Sequence, residues 1–442
     1  MNKTRLIFTS LVLCLVMVFL SGCRLFSVGD ELLTPPRAQG ELGDIQEALE
    51  KLTSNKITLK YPTAGEYRSA IVQYDLTGNG IKDAVAFYST ESENISAMHI
   101  AVVSKRDGKW VAAKDVTVLA SGVERVEFDD LDGDGISEII VGWSVYATVD
   151  KEIGVYGFDG SVLTPHAHEK YTAFLRTDLD TDQKKELFLI NLNSTDKTAT
   201  ARLLTLENDT ITEKASCRCD GSVSGYLSVA ATKLLNGKPA VFVDAQKGTG
   251  AITEVFYLDS ESLVNPLFDR ETGTTAISER PSTKISSDIN GDGTLDIPML
   301  ELLPGYEDAA ENDRIYITRF CTLNNGSLVV TLSALMNYTD GYYFTIPKAL
   351  DGRITLTRNI EARTRTIYLY DKNKATRGAE LFTIKTVNLN NWETSNTQDW
   401  HKILEDKTTV YAVLISGYDG SEALSVEQIK SEFNLIGTGD LT

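Results

Sequence analysis

Short apolar runs separated by polar turns dominate the chain, and they predict β-strands. HIAVVS, EIGVYGF, ARLLTL, EVFYLD and RIYITRF are examples, each followed by a turn containing Gly, Asn, Asp or Ser. A more polar run such as WVAAKDV or LVVTLSA comes next. β-Branched and aromatic residues are frequent in these runs and helical periodicity is absent. The pattern predicts an all-β fold of short strands.

An acidic stretch recurs together with these strands. YDLTGNGIKDAVAFY, DLDGDGISEIIVGW, DLDTDQKKELFLIN, LLNGKPAVFVD and DINGDGTLDIPML start at Tyr74, Asp130, Asp178, Leu234 and Asp288. The period is roughly 50 residues, and each repeat contains four predicted strands. Four strands in one repeat are typical of a β-propeller blade, and blades recur because one alone cannot bury both of its faces. We therefore predict a propeller of about five four-stranded blades over residues 57–340.

The acidic loops place side-chain oxygens at regular positions. In the second repeat these positions are 1, 3, 5 and 9, and Gly135 lies at position 6. Hard oxygen ligands in this number suit Ca²⁺, which takes about six to eight of them. An EF-hand needs a Glu at position 12 and a following helix, whereas position 12 here is Val141 in a strand-forming run. The alternative interpretation is that these Asp-Gly turns only end strands and favour tight bends.

With this spacing and period, the loops resemble the calcium loops of FG-GAP (VCBS) repeats, as in integrin α-chain propellers and many bacterial surface proteins. The resemblance implies structural Ca²⁺ bound between the first two strands of a blade. It implies as ligands Asp75, Thr77, Asn79 and Asp83; Asp130, Asp132, Asp134 and Glu138; Asp178, Asp180, Asp182 and Glu186; and Asp288, Asn290, Asp292 and Asp296.

The loops are not expected to bind equally. The second-repeat and fifth-repeat loops keep both glycines and should bind best, whereas the first has only two carboxylates. The third has Gln183 where Gly is expected, with Lys184 and Lys185 beside the site. The fourth repeat has lost its acids and should bind no ion.

The amino-terminal end predicts export and a lipid anchor. Lys3 and Arg5 precede an apolar run over residues 6–20, which is short for a membrane span and typical of a signal peptide covering residues 1–22. Its end, Leu-Ser-Gly-Cys, resembles the lipobox of bacterial lipoproteins. That resemblance implies cleavage before Cys23 and a diacylglyceryl thioether on it, and hence anchoring to the outer face of a bacterial cell membrane.

The regions flanking the repeats have other patterns. Residues 23–56 predict a lipidated tether and a short amphipathic helix with Ile45, Ala48 and Leu49 on one face. LTPPR, this helix, ITLKYP and GEYRSA together resemble the front end of a group of Gram-positive lipoproteins with such repeats, which implies no activity. Residues 341–442 lack the acidic period and predict a small C-terminal α+β domain.

That C-terminal domain is predicted to contain one helix. Ser425 and Gln428 form a capping-box pattern, and Val426, Ile429 and Phe433 follow at helical spacing. Alternating strands precede this helix.

Composition limits the partners. The chain has 62 Asp and Glu against 43 Lys and Arg, a formal net charge of −19. Nucleic acid is not expected as a partner, because its binding depends on neutralising phosphates. An acidic exported protein suggests divalent cations or plain solubility. The spacing of the cysteines is not that of a zinc site. Either Cys217, Cys219 and Cys321 are all free thiols, or one of the first two forms a disulfide with Cys321.

Two functional hypotheses follow. GxSxG, HExxH and P-loop patterns are absent, so we predict no catalytic residues. The first hypothesis is a non-enzymatic, lipid-anchored, calcium-binding β-propeller that binds a protein or cell-wall glycan at the cell surface. The alternative is an exported enzyme acting on cell-wall or extracellular polysaccharide, with its site at the propeller axis or in the C-terminal domain. Converging polar side chains in a deep pocket away from the metal loops would favour the enzyme.

Overall fold

The computed structural model describes residues 40–53, 55–90, 97–145, 151–392 and 398–437. The predicted signal peptide of residues 1–22, the lipidation at Cys23 and the tether up to residue 39 lie outside these ranges. Within them the protein is all-β, with antiparallel sheets and three short α-helices, as the apolar pattern predicted. None of the helices in these ranges has the length and apolar character needed to cross a membrane.

The chain divides into two compact units, Met1–Arg125 with Phe158–Thr164, and Val126–Gly157 with Pro165–Thr442. The first contains helix α1 (Glu41–Thr53) and the first sheet. The strands of that sheet are β1 (Ile57–Leu59), β2 (Ile71–Tyr74), β3 (Asp83–Thr90), β4 (Ala97–Arg106), β5 (Lys109–Ala112) and β6 (Val116–Leu119). The helix buries Ile45, Ala48 and Leu49 against the sheet, so the face expected from the sequence is the packed one.

Three four-stranded sheets follow, each built from strands that are consecutive in the chain. They are β7 (Gly122–Asp129), β8 (Glu138–Ser144), β9 (Lys151–Phe158) and β10 (Leu163–Tyr171); β11 (Ala173–Thr177), β12 (Glu186–Asn193), β13 (Thr198–Glu207) and β14 (Thr210–Cys219); and β15 (Gly225–Lys233), β16 (Pro239–Lys247), β17 (Gly250–Asp259) and β18 (Ser262–Val264). The second strand of each is almost wholly buried, because apolar residues cover both of its faces.

The fifth and sixth sheets have five strands each and share one apolar core. The remaining elements are β19 (Ile297–Leu302), β20 (Tyr316–Asn324), β21 (Ser327–Asn337), β22 (Tyr342–Thr345), β23 (Ile354–Asn359), β24 (Thr364–Asp371), β25 (Thr376–Asn388), α2 (Leu389–Trp392), β26 (His401–Glu405), β27 (Thr409–Ile415), α3 (Val426–Ser431) and β28 (Phe433–Leu435). The fifth sheet contains β19–β22 and β28, and the sixth contains β23–β27. Phe344 and Phe382 link the two across their core, with ring centroids 5.2 Å apart.

Helix α3 begins at the predicted capping box. The Gln428 amide donates to Ser425 Oγ (3.2 Å), and the Ser425 amide donates to Gln428 Oε1 (2.9 Å). The helix is shorter than predicted, however, because it ends at Ser431 and Phe433 begins β28. Phe433 is buried by pairing with Phe344 of β22 in the fifth sheet, and this contact replaces the expected helical packing.

The cysteines at 217, 219 and 321 are free thiols. Burial raises the pKa of Cys321 to about 11 and that of Cys217 to about 12. They are therefore protonated and unreactive at neutral pH.

Candidate metal centre

Each of the four acidic loops lies where two antiparallel strands are joined. Residues 75–83, 130–138 and 178–186 connect β2 to β3, β7 to β8 and β11 to β12. Residues 288–296 lead into β19, and an antiparallel bridge between Ser287 and Asp296 closes that loop. Strands follow all four loops, so none of them has the geometry of an EF-hand.

A shared set of hydrogen bonds gives these loops one conformation. In the second loop, the Gly135 amide donates to Asp130 Oδ2 (2.8 Å) and the Ile136 amide to Asp134 Oδ1 (2.7 Å). The equivalent donor–acceptor pairs are Gly80–Asp75 and Ile81–Asn79 in the first loop. They are Gln183–Asp178 and Lys184–Asp182 in the third loop, and Gly293–Asp288 and Thr294–Asp292 in the fifth-repeat loop. The Leu131 amide donates to Glu138 Oε2 (2.8 Å) and ties position 2 to position 9.

The conformation requires two residues in the left-handed backbone region. Gly133 and Gly135 have φ of 77° and 89°, which glycine adopts without strain. In the third loop Thr181 and Gln183 take the same places, with φ of 67° and 79°. Residues with a Cβ are disfavoured there by roughly 1–2 kcal/mol each. The sequence analysis identified Gln183 as a replacement for an expected glycine, but it did not identify Thr181 as a second one.

Carboxylate oxygens converge in the second and third loops. One oxygen each from Asp130, Asp132 and Glu138 lies within 4.8 Å of the others. The same holds for Asp178, Asp180, Asp182 and Glu186. Two ligands on opposite sides of Ca²⁺ are roughly 5 Å apart, so each cluster fits one cation. Asp134 lies outside the second cluster, and the third cluster contains all four predicted ligands.

The first-repeat and fifth-repeat loops contain buried side-chain oxygens that have no hydrogen-bond partner. Thr77 Oγ1, Asp83 Oδ2 and Asp296 Oδ2 are buried and accept no hydrogen bond. The other oxygen of each carboxylate is bonded, to Ser104 Oγ (2.6 Å) and Thr331 Oγ1 (2.5 Å) respectively. Leaving a buried carboxylate oxygen unpaired is costly, and a bound cation would remove that cost.

In the fifth-repeat loop, the two middle ligands contact each other. Asn290 Nδ2 donates to Asp292 Oδ2 (2.9 Å), and Asn290 Oδ1 accepts from the Asp292 amide (2.9 Å). The side-chain amide of Asn290 therefore contacts Asp292 through both its nitrogen and its oxygen. The order of binding expected from the sequence stays a prediction.

Burial raises the pKa of the carboxyl group at position 9 in all four loops. The pKa of Glu138 rises to about 7 and that of Asp296 to about 6, with desolvation as the main cause and neighbouring loop carboxylates adding to it. Desolvation also raises the pKa of Asp83 and Glu186. A nearby positive charge would favour the ionised form of these groups.

A lysine supplies such a charge at the third loop. Lys214 on β14 is ion-paired with Asp180, and its Nζ lies 3.9 Å from Glu186 Oε1. Although burial opposes it, this pairing lowers the pKa of Asp180. Lys184, expected beside this site, lies against Gly133 of the second loop. Sequence reasoning missed Lys214, which is 34 residues from Asp180.

The fourth repeat has a plain turn. The Gly237 amide donates to the Leu234 carbonyl (2.7 Å), and the Lys238 amide donates to Asn236 Oδ1 (3.0 Å). Without a carboxylate, it offers no cation ligand set of the kind in the other loops.

His166 and His168 of β10 do not form a metal pair. His168 Nε2 lies 3.0 Å from Tyr156 Oη, and His166 Nδ1 lies 3.0 Å from the Asp209 carbonyl. Neither belongs to a cluster of metal-ligating groups in the described ranges.

A cavity of 190 Å³ lies between the fifth and sixth sheets, and no residue of the four acidic loops is among those that line it. Its lining includes Arg314, Arg358, Arg365, Tyr316 and Tyr338. The sequence gave no sign of it, because these residues come from several strands and turns of two sheets.

No protein-family model and no curated protein matches the chain. Among solved structures, it is similar to a rhamnogalacturonan lyase from Bacillus licheniformis, with 13% identity, a TM-score of 0.31, and coverage of 73% of this chain and 76% of that one. An exo-β-1,3-galactanase from Phanerochaete chrysosporium has 12% identity, a TM-score of 0.25, and coverage of 75% and 79%. A Lactobacillus plantarum protein has 9% identity, a TM-score of 0.28, and coverage of 74% and 94%. Similarity at this level supports no functional assignment.

Proposed function

We propose that the chain is a calcium-stabilised β-propeller that acts as a binding module on the outer face of a bacterial membrane, anchored by lipid at Cys23. Its ligand would be a protein or a cell-wall glycan. The observation that carries the proposal is the acidic loop: four strand-joining loops share one conformation, and their oxygens either cluster or are buried without a hydrogen-bond partner.

The six sheets of the described residues are the proposed blades. The first four lie within the sequence repeats, the fifth adds β22 and β28 from the region expected to form a C-terminal domain, and the sixth comes from residues 354–415 of that region. This extends the expected number of about five blades by one.

The proposed role of the cation is structural. Bound Ca²⁺ would supply positive charge to carboxylates that the fold already brings together. The residues of the loops orient these carboxylates. Backbone amides donate to the carboxylate at position 1 in all four loops, and in the second and third loops the amide at position 2 donates to that at position 9. A ligand that binds only the folded state stabilises it, by about 2.7 kcal/mol at a concentration of 100 Kd.

Thermal unfolding in calcium and in chelator tests this proposal. We expect a lower Tm in chelator, restored by Ca²⁺, and a calcium stoichiometry above one. Asp130→Asn should reduce that stoichiometry, whereas Asn236→Ala in the turn of the fourth repeat is the matched control and should leave it unchanged. Equal melting with and without chelator, together with no calcium uptake, would contradict the proposal.

The exported-enzyme alternative draws on one observation, the cavity lined by arginine and tyrosine side chains and by no residue of the acidic loops. A polysaccharide-degradation assay separates the two functions. Products shorter than the substrate would favour the enzyme, and recovery of intact, bound polysaccharide would favour the binding module.

A further inference from the structure

The cavity between the fifth and sixth sheets contains three arginines that meet no carboxylate. Arg314 Nε donates to the Ala309 carbonyl (3.3 Å), Arg358 Nη2 to the Asn312 carbonyl (3.0 Å) and Arg365 Nη1 to the Met336 carbonyl (2.6 Å). Within the described residues, none of these guanidinium groups has a carboxylate oxygen within 4.0 Å. Each therefore keeps donor groups available to a ligand.

Some other arginines of the described residues are paired with carboxylates. Arg319, in the same sheet, bonds Glu301 Oε2 (2.7 Å) and also pairs with Asp351. Arg202 likewise contacts two glutamates, at 2.6 and 2.8 Å. The cavity differs from these two places because it brings three arginines together without such a pair.

The carboxylate that acts on Arg365 already has an ion-pair partner. It is that of Asp340, whose Oδ1 lies 2.5 Å from Arg363 Nη2. Burial, and to a smaller extent the charge of Arg358, lowers the pKa of the Arg365 guanidinium. An anion in the cavity would relieve both effects.

Aromatic rings complete the lining. Tyr316 and the exposed Tyr338 contribute rings, and Lys284 Nζ adds a further positive charge 5.0 Å from the centroid of the Tyr338 ring. The volume of 190 Å³ is below the roughly 300–1,000 Å³ of sites for drug-sized ligands. It suits one ring with its acidic group, as part of a longer molecule that extends outside.

We propose that this cavity binds an acidic saccharide, with a sugar ring against the tyrosines and its oxyanion, a carboxylate or a phosphate ester, bound by the arginines. Guanidinium forks match both oxyanions through paired hydrogen bonds. Arginine clusters also recognise acidic peptide motifs, so an acidic peptide is included as a competing ligand in the test. The tyrosine rings in the lining favour the saccharide. The inference rests on the proposed binding function and assigns its ligand class.

Calorimetric titration of the purified protein tests it with four probes: a uronic-acid trisaccharide, a trisaccharide carrying a phosphate ester, a neutral hexose trisaccharide and an acidic peptide. We expect binding of at least one anionic glycan probe, weaker binding at higher salt, and no binding of the neutral sugar or the peptide. Which anionic probe binds identifies the oxyanion.

The Arg314→Gln/Arg358→Gln variant should weaken that binding at least tenfold, since two charged hydrogen-bonding groups are lost. Arg358→Lys, which keeps the charge but loses the fork, should weaken it less. Arg270→Gln, an exposed arginine outside the cavity, is the matched control. The Tm and calcium response of each variant should match those of the wild type.

Binding of neither anionic glycan, equal binding of the neutral sugar, tighter binding of the peptide, or unchanged affinity in the double variant would overturn the inference. The proposed calcium-stabilised fold fails separately, through loss of the calcium response in the wild-type protein. The two failures are therefore distinguishable.

Discussion

Lys214 Nζ is ion-paired with Asp180 and lies 3.9 Å from Glu186 Oε1, at the acidic loop of the third repeat. The lysine ammonium and a bound cation would therefore compete for the same carboxylates. The third loop has the most complete cluster of acids and also its own internal cation.

We expect Lys214→Gln to raise the calcium affinity of the third loop by about fivefold, because a partly buried competing charge worth roughly 1 kcal/mol is removed. Without calcium the variant should be less stable than the wild type, since the acids lose their partner. Calcium titration followed by calorimetry measures both effects. Lys238→Gln, in the acid-free turn of the fourth repeat, should change neither, and an unaltered third site in Lys214→Gln would show that the lysine does not compete.

Glycine should relieve backbone strain in the third loop. Thr181 and Gln183 have positive φ where Gly133 and Gly135 lie in the second loop. We expect Thr181→Gly/Gln183→Gly to raise the free energy of unfolding by about 1–2 kcal/mol, the relief of two left-handed residues less the added freedom of the unfolded chain. Urea unfolding in calcium measures it. Ser194→Gly/Thr195→Gly, in an ordinary turn, serves as control, and a decrease in the third-loop variant would exclude strain as the dominant effect.

Glu254 should make stability depend on pH. Its Oε1 accepts bonds from the Asp220 amide (3.0 Å), Asn265 Nδ2 (2.7 Å) and Thr275 Oγ1 (2.9 Å), but its buried Oε2 has no partner. Burial raises its pKa from 4.5 to about 7. The charged groups and other titratable groups around it are Asp220, Cys217, Cys219, Tyr226 and, through Asp220, Lys247.

The folded state therefore binds this proton more tightly than the unfolded state does. Its contribution to stability is fully present below pH 4.5 and is lost as pH rises through about 7. We expect Glu254→Gln to gain stability relative to the wild type, by a few kcal/mol, between pH 5 and pH 8. Urea unfolding at both pH values in saturating calcium measures the difference. Exposed Glu261→Gln should show none, and parallel pH profiles for wild type and Glu254→Gln would refute the prediction.

The ion pair between Arg280 and Asp244 should be sensitive to loss of one partner. Arg280 Nη2 lies 2.8 Å from Asp244 Oδ1, and both residues are almost fully buried. Asp244 also accepts bonds from Thr253 and Ser286. We expect Arg280→Met to cost about 3–5 kcal/mol, because it leaves a buried charge unpaired.

Chemical unfolding of Arg280→Met and of the control Arg270→Gln tests this. The exposed control should change stability by less than about 0.5 kcal/mol. The double variant Arg280→Met/Asp244→Asn should cost less than the sum of its single changes, because the two residues are coupled. Additive costs would argue against an energetic pair.

The sequence predicted the features that are local. The acidic loop starting at Asp130 could be recognised because its ligands and hydrogen-bond donors lie within nine residues. Helix α3 was recognisable from Ser425 and Gln428 for the same reason. The sequence did not reveal contacts between residues far apart in the chain, such as that of Lys214 with Asp180, or that of Arg280 with Asp244, 36 residues apart.

Phe433 shows where a local pattern is ambiguous. It follows Ile429 at helical spacing, so an apolar helix face and a short strand after the helix have the same sequence signature. In the structure Phe433 is in a strand, because it pairs with Phe344 in the fifth sheet. The arginines of the cavity could not be predicted from a local pattern at all, because Arg314 and Arg365 come together only when both sheets are formed.

β28 completes the fifth sheet, whose other four strands all lie between Ile297 and Thr345 in the chain. A nascent chain therefore leaves β22 as an open edge until it has been made as far as residue 435. Such an edge invites pairing with a second molecule, and the sixth sheet must be synthesised before it is covered. Proteolytic trimming or premature termination ahead of Phe433 is accordingly a route to self-association during biogenesis.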